Sequence, residues 1–168
     1  MNDQQRWDRA VKAADSDYEH LTPETRLQLD ALLGQIMRFK EDLVERTRAA
    51  GSASICRTCA GQCCRNGKYH VSVLDLLAYR SSGTEPVVPD FSAHPACPYS
   101  GESGCRMPPR FRPMTCVVFN CEPVEERMDQ DGRTALYAEE KLLRDAIVRA
   151  NRVSGRRLDR ALLLWCDT

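Results

Sequence analysis

The chain has 168 residues, 42% hydrophobic and only 7% aromatic, which allows one modest core rather than several domains. Its 24 basic and 24 acidic residues cancel, which leaves no global basic field for nucleic acid and no acidic tail for a basic partner. The longest apolar run, Ala161 to Cys166, is far short of the roughly 20 residues that span a bilayer, and the start Met1 to Asp8 is charged where a signal peptide is apolar. These features predict a cytoplasmic protein without a membrane segment.

Residues 1–50 carry no cysteine and read as an N-terminal helical region. Asp3 to Tyr18 is assigned to helix on a sparse pattern. Thr22 followed by Pro23 is an N-cap with proline at the first helical position. Leu29, Leu32, Leu33, Ile36, Met37, Phe39, Leu43 and Val44 then recur at helical spacing, and Gly51 supplies a stop.

Within the central region, 51–123, residues 56–121 hold eight of the nine cysteines and seven of the nine prolines. Ser72 with Asp75 three residues on, and Val71 paired with Leu76, predict a capped short helix that ends before Gly83. From Ser81 to Thr115 there is almost no apolar period, which is reasonable where coordination bonds replace hydrophobic contacts. In the C-terminal helical region, 124–168, helix is expected from about Thr134. Leu136, Leu142, Leu143, Ile147, Ala150 and Val153 form its stripe, and Gly155 ends it. Leu158 to Cys166 reads as a last apolar helix or strand.

In a reducing compartment nine cysteines point to metal or redox chemistry, and an odd number would leave a disulfide framework with one unpaired thiol. Cys56 and Cys59 have the spacing at which a tight turn aims two thiolates at one ion, and Gly61 supplies backbone freedom. The adjacent Cys63 and Cys64 diverge by about 100° in a helix and point oppositely in a strand. They suit two neighbouring metals, or one polynuclear cluster wide enough to receive both. Cys97, Cys105, Cys116 and Cys121 follow. Cys116 and Cys121 are five apart, so a helix carrying both must unwind before they face one site. Pro113 suits the start of a short helix there, and Pro123 disfavours helix at Glu122.

Eight thiolates divide into two groups of four. Two zinc sites would use all eight, as would one iron–sulfur cluster plus one zinc. Seven basic residues (57, 65, 68, 80, 106, 110, 112) against four acidic (75, 85, 90, 102) lie within 56–121 and offset the thiolate charge. A thioredoxin-like redox pair needs a strand running into a helix, and Ser52 to Ile55 makes no convincing strand. Cys166, on the apolar C-terminal segment, reads as a small buried hydrophobe. His20, His70 and His94 read as surface groups or neighbours of ligands, with His94 the one to test as a ligand.

The order of Cys56, Cys59, Cys63, Cys64, Cys97, Gly104-Cys105, Arg112-Pro113, Cys116 and Phe119 to Cys121 resembles the YkgJ-like cysteine-cluster family over roughly residues 56–121. That family is described as zinc- or iron-chelating, in some members as iron–sulfur proteins, and a related domain occurs in bacterial flagellin lysine methylases. The longer proline-rich approach from Met107 to Phe111 departs from its pattern. The resemblance implies metal chelation without a known reaction.

The expected fold is mostly α, with helices at both ends flanking an irregular, proline-rich, cysteine- and metal-stapled segment, all in one compact domain. The expected function is zinc or iron binding through Cys56, Cys59, Cys63, Cys64, Cys97, Cys105, Cys116 and Cys121 in two centres, as an accessory module for another protein. An iron–sulfur redox protein is the alternative. A methyltransferase-like enzyme rests only on the flagellin-methylase relative, because neither a glycine-rich nucleotide loop nor an acid–base pair is present.

Overall fold

Helix α1 (Asp3–Glu19) begins at a capping box. Asn2 accepts the Gln5 amide N–H, and the Gln5 side chain accepts the Asn2 N–H. The computed structural model describes residues 1–59, 61–102 and 104–167, and side chains as far as residue 164. α1 buries Trp7, Ala10, Ala14 and Tyr18, one stripe at helical spacing. Helix α2 (Pro23–Ala49) starts where Thr22 accepts the Thr25 N–H and is followed by Gly51 at φ +86°. Its predicted stripe is buried at Leu29, Leu32, Leu33, Ile36, Leu43 and Val44, with Met37 and Phe39 half-buried against the core.

The long C-terminal helix, designated α7 (Gln130–Ser154), starts four residues before the expected Thr134. Asp129 accepts the Gly132 N–H at 2.7 Å and caps a turn with no apolar signal of its own. α7 packs along α2 through Leu136, Leu143, Ala146, Ile147 and Ala150. Leu142, assigned to the same stripe, is instead 50% exposed, because it sits 100° around the helix from Leu143.

Helix α4 (Val73–Ser81) has the predicted Ser72–Asp75 capping box and is buried on nearly every side, against α1 and α2. Tyr79 on α4 stacks on Phe111 with ring centroids 3.8 Å apart. The core is therefore mostly α, formed by α1, α2, α4 and α7 around one cluster of buried side chains. A buried ion pair crosses it. Lys40 Nζ lies 2.5 Å from Asp75 Oδ1, with both side chains at 1% exposure or less. The segment from Leu158 is neither α-helix nor strand. Ala161 forms a single bridge to Ser72, Leu162 N–H donates to Val71 O at 2.7 Å, and a 3-10 helix, Leu162–Asp167, follows. The Cys166 side chain lies outside the described residues.

The cysteines ride on shorter pieces: α3 (Ser52–Thr58), 3-10 turns at 62–64 and 67–69, a two-residue antiparallel hairpin, α5 (Met114–Val118) and α6 (Glu122–Glu125). The hairpin pairs β1 (Ser100–Gly101) with β2 (Gly104–Cys105), Ser100 opposite Cys105. Pro123 does not keep Glu122 out of helix. Glu122 opens α6 with Pro123 in its first turn, where a missing N–H leaves no bond unmade. The chain is instead extended at Phe119 and Cys121, which separates α5 from α6. Among the described residues no helix is long and apolar enough to cross a membrane.

Candidate metal centre

Eight cysteines, Cys56, Cys59, Cys63, Cys64, Cys97, Cys105, Cys116 and Cys121, are free thiols, and none of them is buried. Five are exposed and three half-buried, although unpaired cysteine is among the most buried residue types. A structural role as small hydrophobes therefore does not describe these eight.

The chain brings them into two neighbourhoods. In the first, Cys56 lies on the last turn of α3 and Cys59 caps it, its Sγ 3.5 Å from the Cys56 carbonyl. α6, with Cys121 at its N-cap, packs on α3. The backbone at Gly51 runs so close to Arg127 that an added Cβ would lie 2.7 Å from the guanidinium. Burial raises the Cys56 thiol, the neighbouring thiols of Cys59, Cys63 and Cys121 raise it further, and the Arg112 guanidinium opposes them. Arg112 is itself held by donating from Nε to the Met107 carbonyl.

The second neighbourhood surrounds the 3-10 turn at 67–69. Gly67 is buried there, and an added Cβ would overlap the Cys97 sulfur. At the end of the same turn His70 Nδ1 lies 3.5 Å from Cys116 Sγ. Burial lowers the His70 imidazole, which favours the neutral ring. Burial, then the neighbouring thiols of Cys105, Cys64 and Cys97, raises the Cys116 thiol. The Cys97 thiol is raised by burial and by Cys105, opposed first by the backbone N–H of Tyr99, then by that of Ser100 and by Arg106; Arg106 Nη2 donates to the carbonyls of Val88 and Pro98.

The doublet joins the two sets. Gly61 at φ +69° turns the chain into 62–64, and the Cys64 thiol is pushed up to about 12, first by burial, then by Cys63, Cys97 and Cys105. Cys64 and Cys116 are exposed over the residue as a whole, yet enough protein surrounds each thiol to raise it.

The thiols that raise one another group as Cys56 with Cys59, Cys63 and Cys121, and as Cys64 with Cys97, Cys105 and Cys116, while Cys63 is also the foremost thiol neighbour of Cys64. Each group is a soft all-thiol donor set suited to zinc or iron, with an arginine nearby of opposite charge to the thiolates. The thiols lie within electrostatic reach of one another without closing on a common point; among the described residues no group of three or more His, Cys, Asp or Glu side chains stands ready to hold an ion. Raised thiols are the reverse of a reactive-cysteine site, where the thiolate is stabilised. His94, singled out from the sequence, is exposed, and the histidine found against a thiol is His70. Gly67 was not assigned to the site from sequence, since it falls at no ligand spacing, whereas His70 is among the histidines read as surface groups or neighbours of ligands. No family model matches the chain, and searches of curated proteins and of solved structures give no match either.

Proposed function

We propose that the protein binds zinc or iron through eight cysteine thiolates in two four-cysteine centres and serves a protein partner as an accessory module. The observation that supports this reading is the gathering of eight free, unburied thiols on neighbouring short segments, with Cys63 near Cys56, and Cys64 near Cys63, Cys97 and Cys105. Each set supplies the four donors that a tetrahedral thiolate site requires. Resemblance to the YkgJ-like pattern supports chelation as the chemistry, and the cytoplasmic setting expected from sequence keeps the thiols reduced. The balanced charge leaves a protein as the fitting class of partner. The methyltransferase-like reading rests on the flagellin-methylase resemblance alone.

The test is elemental analysis of anaerobically purified protein from metal-replete cells. At least about two equivalents of zinc, or about four of iron if a cluster forms, are expected. Less than about one metal per chain would overturn the reading. A colourless product identifies zinc thiolate sites, and a brown one identifies an iron–sulfur cluster and favours the redox alternative.

A further inference from the structure

The two thiol sets are alike in donors and unlike in what carries them. Around the second set the carriers are anchored in the core. Cys97 itself packs against the central cluster, and Tyr99 and Met107 are buried on either side of the hairpin that presents Cys105. In α5, which presents Cys116, Val117 is buried and Met114 and Val118 pack on the core. The turn at 67–69 holds the buried Gly67 and runs directly into buried Val71 and α4. Around the first set this anchoring is missing. α3 contains no buried residue, and neither does the 62–64 turn, which carries Cys63 of the first set and Cys64 of the second. α6 buries Val124 alone, outside the central cluster.

Given the metal-binding reading above, on which this inference rests, we propose that the set Cys64, Cys97, Cys105 and Cys116 holds a permanent structural ion, and that the set Cys56, Cys59, Cys63 and Cys121 is an exchangeable site whose carrier segments order when the ion binds. The physical basis is where the ordering entropy falls. Apolar burial already fixes the carriers of Cys97, Cys105 and Cys116, so three of the four donors in the second set are preorganised, and Cys64 alone shares the unanchored turn. Nothing comparable fixes α3 and α6, so ordering them is charged to the ion and weakens its hold. Exchange is simple ligand transfer. The ion passes to a competing chelator, and the thiolates left behind take up protons from water, with no change of oxidation state.

The experiment is chelator competition on the intact zinc-loaded chain, followed by metal release and amide exchange. Two phases of one equivalent each are expected, at least about tenfold apart in rate. After the fast phase, amides of 52–59 and 122–126 should lose protection while those of α4 and α5 keep theirs. Cys121→Ser should abolish the fast phase alone. Gly67→Ala, which drives a methyl into the Cys97 sulfur, should accelerate the slow phase alone. Release of both ions in one phase, a fast phase that survives Cys121→Ser, or unchanged protection of α3 after it would overturn the inference while leaving metal binding standing. A chain that takes up no zinc would overturn both.

Discussion

Replacing Lys40 by Met tests the part of the scaffold that supports the start of α4. Lys40 is fully buried and Asp75 is 1% exposed, with the ammonium 2.5 Å from Oδ1. The other carboxylate oxygen accepts from Ser72 N–H at 2.8 Å and from Ser72 Oγ–H at 2.7 Å. Methionine fills nearly the same volume, so the variant removes the counter-charge without opening a large cavity. Breaking one side of a buried pair costs about 3–5 kcal/mol, a large share of the roughly 5–15 kcal/mol that stabilises a typical domain. Replacing both partners, Lys40→Met with Asp75→Leu, removes the stranded charge. That double variant should recover most of the loss and retain a deficit of about 1 kcal/mol from the Ser72 N–H and hydroxyl left without their carboxylate acceptor. Urea unfolding of the metal-loaded proteins, followed by far-ultraviolet circular dichroism, gives all three values. A single-variant loss below about 1 kcal/mol would refute the reasoning, since it would mean that water reaches the carboxylate.

Other outcomes follow from the thiols. Because burial and neighbouring thiols raise Cys56, Cys64, Cys97 and Cys116, the metal-free chain holds these as S–H at neutral pH. Loading both centres should then displace at least these four protons, with affinity rising with pH and acid releasing the metal. Titration in weak buffer that liberates fewer than about four protons per chain would contradict this. Chelation should remove amide protection from the cysteine segments within 56–121 while α1, α2 and α7 keep helicity, because a structural zinc contributes an apparent ~10–16 kcal/mol to the segment it holds. Identical exchange in apo and loaded protein would exclude a structural metal there. Cys166→Ser should leave metal content unchanged, and a drop by a whole equivalent would make Cys166 a ligand.

What was legible in the sequence was what local chemistry decides. Thr22-Pro23, Ser72 with Asp75, and Gly51 and Gly155 mark helix ends by side-chain capping or left-handed backbone, and each does so in the fold. Divergence of the doublet was the sequence expectation; in the fold Cys63 lies near Cys56, and Cys64 lies near Cys97 and Cys105 but nearest of all to Cys63 itself. Long-range features were less visible. α3 has no apolar face to announce it, and the hairpin strands are too short for a period of two to show. Leu142 lies one residue outside a stripe that spacing alone drew too wide. The Lys40–Asp75 pair had a partial signal, since Lys40 interrupts the apolar face between Ile36 and Leu43, but its partner is 35 residues away. His70 reaches Cys116 across 46 residues, a distance no motif encodes.

The central claim, two centres that divide the cysteine doublet, is tested most directly by metal analysis of Cys63→Ser, Cys64→Ser and the double variant. Each single variant should lose about half of the bound metal, leaving the other centre with its full set of four thiolates, and the double variant should lose nearly all. Full metal content in Cys64→Ser, with loss only in Cys63→Ser, would make Cys64 a bystander. Complete loss in either single variant would mean one shared cluster. Both results contradict the two-centre account.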